Sequence, residues 1–148
     1  MDDLVEFLRA RYDEEESLAF SAGRHLSGQL DLGWTAAGAY VWPDGVTANE
    51  KPVVDTALME DMPGYEVARA RARHIAEHDP DRVLREIDAK RKLLALYVEH
   101  ERMDRETFEA EGDHARSLVS LRAAYLDAVR HHAAVYADRP GYREEWRP

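Results

Sequence analysis

The chain has 148 residues, with thirty acidic against twenty basic side chains, a net charge of −10 and no cysteine. Its length predicts a single domain over residues 1–148 around one core, and its 45% hydrophobic content excludes wholesale disorder. The lack of cysteine excludes disulfides, thiolate metal sites and cysteine nucleophiles, and the acidic surplus argues against direct nucleic-acid binding, which needs clustered Lys and Arg.

Leu4, Phe7, Leu8, Tyr12 and Leu18 recur at helical spacing behind an acidic start and predict a helix over 3–20. A signal peptide would begin basic and turn apolar, and no run reaches the roughly 18 apolar residues of a membrane span. The expected location is therefore cytoplasmic, with no membrane contact.

Between residues 23 and 64 the helical rhythm stops and glycine and proline gather. The β-prone pieces Ala39 to Trp42 and Pro52 to Thr56, with Pro43-Asp44-Gly45 as a turn, predict a small antiparallel hairpin or three-stranded flap. Trp34, Tyr40 and Trp42 belong to this stretch. Their aromatic rings either pack on the helical body or line a ligand cleft.

A second helix is expected over 65–78, with Ala68, Ala72 and Ile75 facing one way. Arg69, Arg71 and Arg73 are spaced by two, which turns each about 200° from the last, so they form no phosphate-gripping stripe. Asp79 suits an N-cap and Pro80 a first helical position, so one helix should end near His78 and the next, 80–101, begin at Pro80.

His74 and His78, four apart on one helical face, are the candidate metal ligands. The plainer reading makes them the end of a helix, since two ligands are too few for a structural site and the Glu of a His-Glu-x-x-His motif is missing.

Val83, Leu84, Ile87, Leu94, Tyr97 and Val98 give the third helix one apolar face. Residues 99–114 form a charged bridge, part helix and part turn, with Gly112 as the expected break. Glu111 and His114 have the Glu-x-x-His spacing of di-iron bundles, but that site needs a second such pair.

The last helix is placed within 105–137, its regular part from about 113. Leu118, Leu121, Tyr125, Ala128, His132 and Val135 alternate at three and four residues, read here as intramolecular core with a homodimer seam as the alternative. Residues 138–148 form a tail that Tyr142 and Trp146 should dock, on the body or on a partner subunit, because burying an aromatic gains about 2 kcal/mol. The fold class is α+β and predominantly helical, with about four helices and a small antiparallel β-element between the first and second.

The segments "MDDLVEFLRARYDEE", "HIAEHDPDRVLREIDAKRKLL" and "YADRPGYREEWRP", in that order, resemble a family of small actinobacterial and actinophage proteins of unknown function. The resemblance implies a tryptophan-containing turn after the first helix, where Trp34 stands. It also implies a Cys/His-rich insert with the look of a zinc site. This chain carries "RMDRETFEAEGDHARSLVSLRAAYLDAVRHH" there instead, so it is an atypical, cysteine-free member.

No phosphate-binding loop, dinucleotide fingerprint or nucleophile elbow occurs. No catalytic residue and no cofactor is therefore named. The leading expectation is a non-enzymatic helical adaptor or accessory protein, homo-oligomeric, acting on a protein partner or on itself, with Trp34, Tyr40, Trp42, Tyr142 and Trp146 as candidate contact residues. The alternatives are a phage-linked acidic inhibitor or nucleic-acid mimic, and a small-molecule or metal binder using the aromatic flap with His74 and His78.

Overall fold

A computed structural model describes residues 2–24, 28, 30–44, 51–55, 58–111 and 116–148, with side chains at all of these except 2, 108–111 and 116–120. Helix α1 spans Asp2–Ala22. Strands β1 (Trp34–Ala37), β2 (Tyr40–Pro43) and β3 (Val54–Asp55) follow, then helices α2 (Tyr65–Glu77), α3 (Pro80–Glu111) and α4 (Arg116–Ala134). The protein is thus α+β and mostly helical, with the three-stranded antiparallel sheet between the first and second helices. No described helix is long and apolar enough to cross a membrane.

The chain divides into two compact units, residues 14–86 and residues 1–13 with 87–148. In the first, β2 is the middle strand: Trp34 pairs with Pro43 and Ala37 with Tyr40 on one side, and Val41 pairs with Val54 on the other. The tight turn between β1 and β2 is Gly38-Ala39, which the sequence reading did not name, and the turn expected at 43–45 falls at the end of β2, on the way to β3. Gly38 makes the first of these turns possible. Its φ of 62° lies in the left-handed region that a two-residue hairpin turn demands, and an added Cβ would come within 2.8 Å of the Tyr65 hydroxyl. Of the turn expected from sequence, Gly45 lies outside the described residues, as does Thr56 of the expected strand.

Ala68, Ala72 and Ala76 are the buried residues of α2. Small side chains at that spacing let the sheet sit close, and Val41, Ala72 and Ala76 form a core on which Trp34, Ala36, Val54 and Ile75 pack. The joint at Asp79 follows the sequence reading. The His78 N–H donates to the Ile75 carbonyl at the end of α2, Pro80 opens α3, and Asp79 Oδ1 accepts the Arg82 N–H at 2.7 Å. The same carboxylate accepts the Trp34 N–H at 3.4 Å, and the Asp81 N–H donates to the Leu32 carbonyl at 3.0 Å.

In the second unit α3 and α4 run antiparallel: Lys90 meets Tyr136, His100 meets Tyr125, and Asp104 meets Arg122. The start of α1 lies along the pair. Tyr12 sits edge-on to Tyr136 at 6.4 Å, and the Lys90 ammonium is 5.9 Å from the Tyr12 ring and 5.8 Å from the Tyr136 ring. Asp13 pairs with Arg91 at 2.7 Å.

Helix α3 runs ten residues beyond the expected 101, so 105–111 belong to it and not to the last helix. Its charged stretch stays helical because the charges match at i,i+3 and i,i+4. Arg102 reaches Glu99 at 2.6 Å and Glu106 at 2.7 Å, and Arg105 reaches Glu101 at 3.3 Å. Gly112 and His114 lie outside the described residues, so the Glu-x-x-His spacing receives no structural account.

Candidate interaction surface

The sheet separates the three flap aromatics. Side chains alternate along a strand, and Val41 points to the α2 core, so Tyr40 and Trp42 take the opposite face, where their rings lie 6.2 Å apart. Trp34 packs on the α2 side with Ala36. An open groove of about 530 Å³ beside Ala36 and Gly38 is walled by Glu66, Arg69, Ala70 and Arg73 of α2. Its two arginines are already engaged, Arg69 by Glu66 at 2.7 Å and Arg73 by Glu77 at 2.8 Å. The bond from Arg73 holds the Glu77 carboxyl below its ordinary pKa.

The histidines stand together on α2, with ring centroids 4.4 Å apart. The His78 Nδ1–H donates to the His74 carbonyl at 2.8 Å, so this nitrogen is already engaged within the helix end. Each histidine is two residues beyond a buried alanine, Ala72 or Ala76, and so is turned about 200° away from the sheet. The pair and the flap aromatics therefore occupy different faces of this unit. Among the described residues no group of three or more His, Asp and Glu is placed to hold a metal ion. A zinc insert of the kind the resemblance implies does not fit this donor set, which also contains no cysteine.

At the C-terminus, Tyr142 and Trp146 close over Phe7, with ring centroids at 6.2 and 5.0 Å. A 3-10 turn over Glu144–Trp146 brings the indole in, and Trp146 is only 6% exposed. The Arg143 guanidinium pairs with Asp3 at 2.6 Å and lies 5.5 Å from the Trp146 ring.

The largest departure from the sequence reading lies on α4. Among its described side chains the buried ones are Val129 and Ala133, with Tyr136 just beyond the helix, whereas Leu121 is 46% exposed and Val135, also past the helix end, 71%. Of the stripe expected in the core, Leu121 and Val135 therefore face outward, while Tyr125, Ala128 and His132 are half-buried; Leu118 belongs to the side chains outside the description. A matching stripe, unnoticed from sequence, runs along α3 as Ala89, Leu93, Leu96, His100, Met103 and Thr107, again at alternating steps of four and three. Leu96 and Met103 are 45% and 36% exposed.

The two stripes form one face. His100 of the first lies nearly parallel on Tyr125 of the second, centroids 4.9 Å apart at 16°. Helix α1 covers the other side: its Arg9 and Asp13 share a recess with Arg91 and Leu94, and its Leu4 another with Leu126 and Arg130. Leu96 is two residues from Leu94, and Ala128 two from Leu126, about 200° around each helix. Nearby, burial and the facing Lys90 and His131 charges keep the His132 pKa below its ordinary value.

Among the described residues this face exposes the apolar side chains Leu96, Met103, Leu121 and Val135. No curated protein and no solved structure matches the chain. A family model does match, over residues 1–148, and by that match the chain belongs to DUF6221, a family of unknown function.

Proposed function

We propose that this protein is a non-enzymatic adaptor that acts through protein–protein contacts, and that the outer face of the α3–α4 hairpin is its principal contact surface. The observation that carries the reading is the exposure of Leu96, Met103 and Leu121 on one side of two paired helices, with Val135 exposed just past the end of α4. Isolated exposed apolar residues are ordinary, but a contiguous set marks a surface that another molecule covers.

Charge mimicry of nucleic acid has less support. The acidic side chains of α2 and α3 are interleaved with arginines and a lysine that neutralise them in pairs, from Glu66–Arg69 to Glu106–Arg102. Metal or small-molecule binding at His74 and His78 would have to work with two ring nitrogens, and without the flap aromatics on the same face.

The test is a photo-crosslinking amino acid placed at position 121 or 96 in the native host, with position 85 as a solvent-facing control. The expected result is a discrete protein adduct from 121 and 96 and none from 85. Adducts equally weak at all three positions would sink the reading.

A further inference from the structure

We infer that the outer face of the α3–α4 hairpin binds a second copy of this chain, the two hairpins closing into an antiparallel four-helix layer about a two-fold axis. The inference rests on the contact surface proposed above and names what covers it.

Register provides the first argument. Steps of four and three sustained from Ala89 to Thr107 and from Leu121 to Val135 are the spacing at which helices interlock with other helices. The inner faces of α3 and α4 already meet each other through Lys90–Tyr136 and Asp104–Arg122. A second heptad-spaced face on each helix of an antiparallel hairpin is half of a four-helix bundle. Two antiparallel helices with the same spacing would complete such a bundle, and a rotated copy of this hairpin presents them.

Charge gives the second argument. No residue of either stripe is Asp, Glu, Lys or Arg, in a chain whose net charge is −10. A basic partner chosen for an acidic body would want carboxylates in the contact, and the stripes offer none. The rims carry both signs, already paired: Asp88 with Lys92 at 2.6 Å, and Glu99 and Glu106 with Arg102. Two copies can therefore approach here without opposing like charges.

Area is the third. The stripes run about 21 to 27 Å along helices some 10 Å wide, a face of roughly 500 Å² per copy. Two such faces come to about 1,000 Å², the lower bound for a specific pair.

A two-fold axis through this face falls near Leu96 and Ala128, the middle of each stripe. Ala128 of one copy then approaches its own equivalent, while Leu121 of one copy approaches Val135 of the other. The absence of native cysteine makes this geometry directly readable.

Sedimentation equilibrium of the purified full chain gives the first test, with Leu121→Glu and Leu96→Glu compared against Leu18→Glu, an exposed leucine of the other unit. The expected result is a dimer for the wild type and Leu18→Glu, and a dissociation constant at least tenfold weaker for the stripe variants, with helical circular dichroism retained. Oxidation of Ala128→Cys should give a covalent dimer, and Leu18→Cys should not. A monomeric wild type, or a Leu121→Glu chain that stays dimeric, overturns the inference. If the wild type is monomeric while position 121 crosslinks to a different protein in cells, the second copy is wrong and the adaptor reading stands.

Discussion

Asp79 and Trp34 are joined across forty-five positions of sequence, the Trp34 N–H donating to the carboxylate that also caps α3. One side chain thus closes the α2–α3 joint and ties the first strand of the flap to it. The cap at Arg82, with a 2.7 Å bond, is the stronger of the two interactions. Replacing Asp79 by Ala should cost about 1–2 kcal/mol, the usual range for a lost cap. Asp79→Asn, which keeps an acceptor oxygen, should cost less than half as much. Urea denaturation followed by tryptophan fluorescence measures both, and equal losses for the two variants would show that the cap is not what the joint depends on.

Trp146 should be the most expensive aromatic to remove from the tail. Its indole is buried against Phe7, and truncating such a side chain leaves a cavity that typically costs about 3–5 kcal/mol. Thermal unfolding of Trp146→Ala should show that loss. Tyr142→Ala, at a half-buried position on the same cluster, should show a smaller one. A Trp146→Ala chain as stable as the wild type would mean that the tail is not anchored through Phe7.

His132 makes stability depend on pH. Burial, the first cause, and the Lys90 and His131 charges hold its folded pKa below 6.5. Between that lowered value and 6.5 the unfolded chain binds the extra proton, so stability should fall as pH drops through this window and stay level above it. Urea midpoints measured from about pH 7.5 down to about pH 5.5 should decline in the wild type and decline less in His132→Gln. Parallel profiles would remove this histidine from the account.

The histidine pair on α2 should behave as ordinary surface residues. Any ion that bound the folded chain selectively would raise its melting temperature by mass action, and with two ring nitrogens as ligands no such rise is expected on adding zinc. A clear rise in the wild type that disappears in His74→Ala would restore the metal reading.

The helix ends were legible where a local rule acts alone. Asp79-Pro80 specifies a stop and a start whatever packs around it, and the structure follows. Strand β1 was not legible, because Ala36 and Ala37 have little β-character of their own and are held in the sheet by pairing with Val41 and Tyr40 and by the Gly38 turn. The end of α3 was missed for a different reason. From Glu99 onward ion pairs along the helix support it, and the few apolar positions among them, such as Met103, are easily overlooked in so charged a stretch.

On α4 the stripe was found, but its Leu121 and Val135 were expected in the core and lie exposed. Apolar residues occur on two faces of that helix, and spacing alone cannot say which of Leu121 and Val129 turns inward. The corresponding signal on α3, Leu96 and Met103 seven apart, was present in the sequence. It became meaningful only once His100 and Tyr125 showed the two stripes lying side by side.

Native mass spectrometry of the untagged protein, taken from its own cells, tests the central claim most directly, since one spectrum reports the subunit count, any bound ion and any partner. The adaptor account expects a mass equal to two chains, or to this chain with another protein, without a bound ion or small molecule. A single chain carrying a stoichiometric ion or small molecule would contradict it.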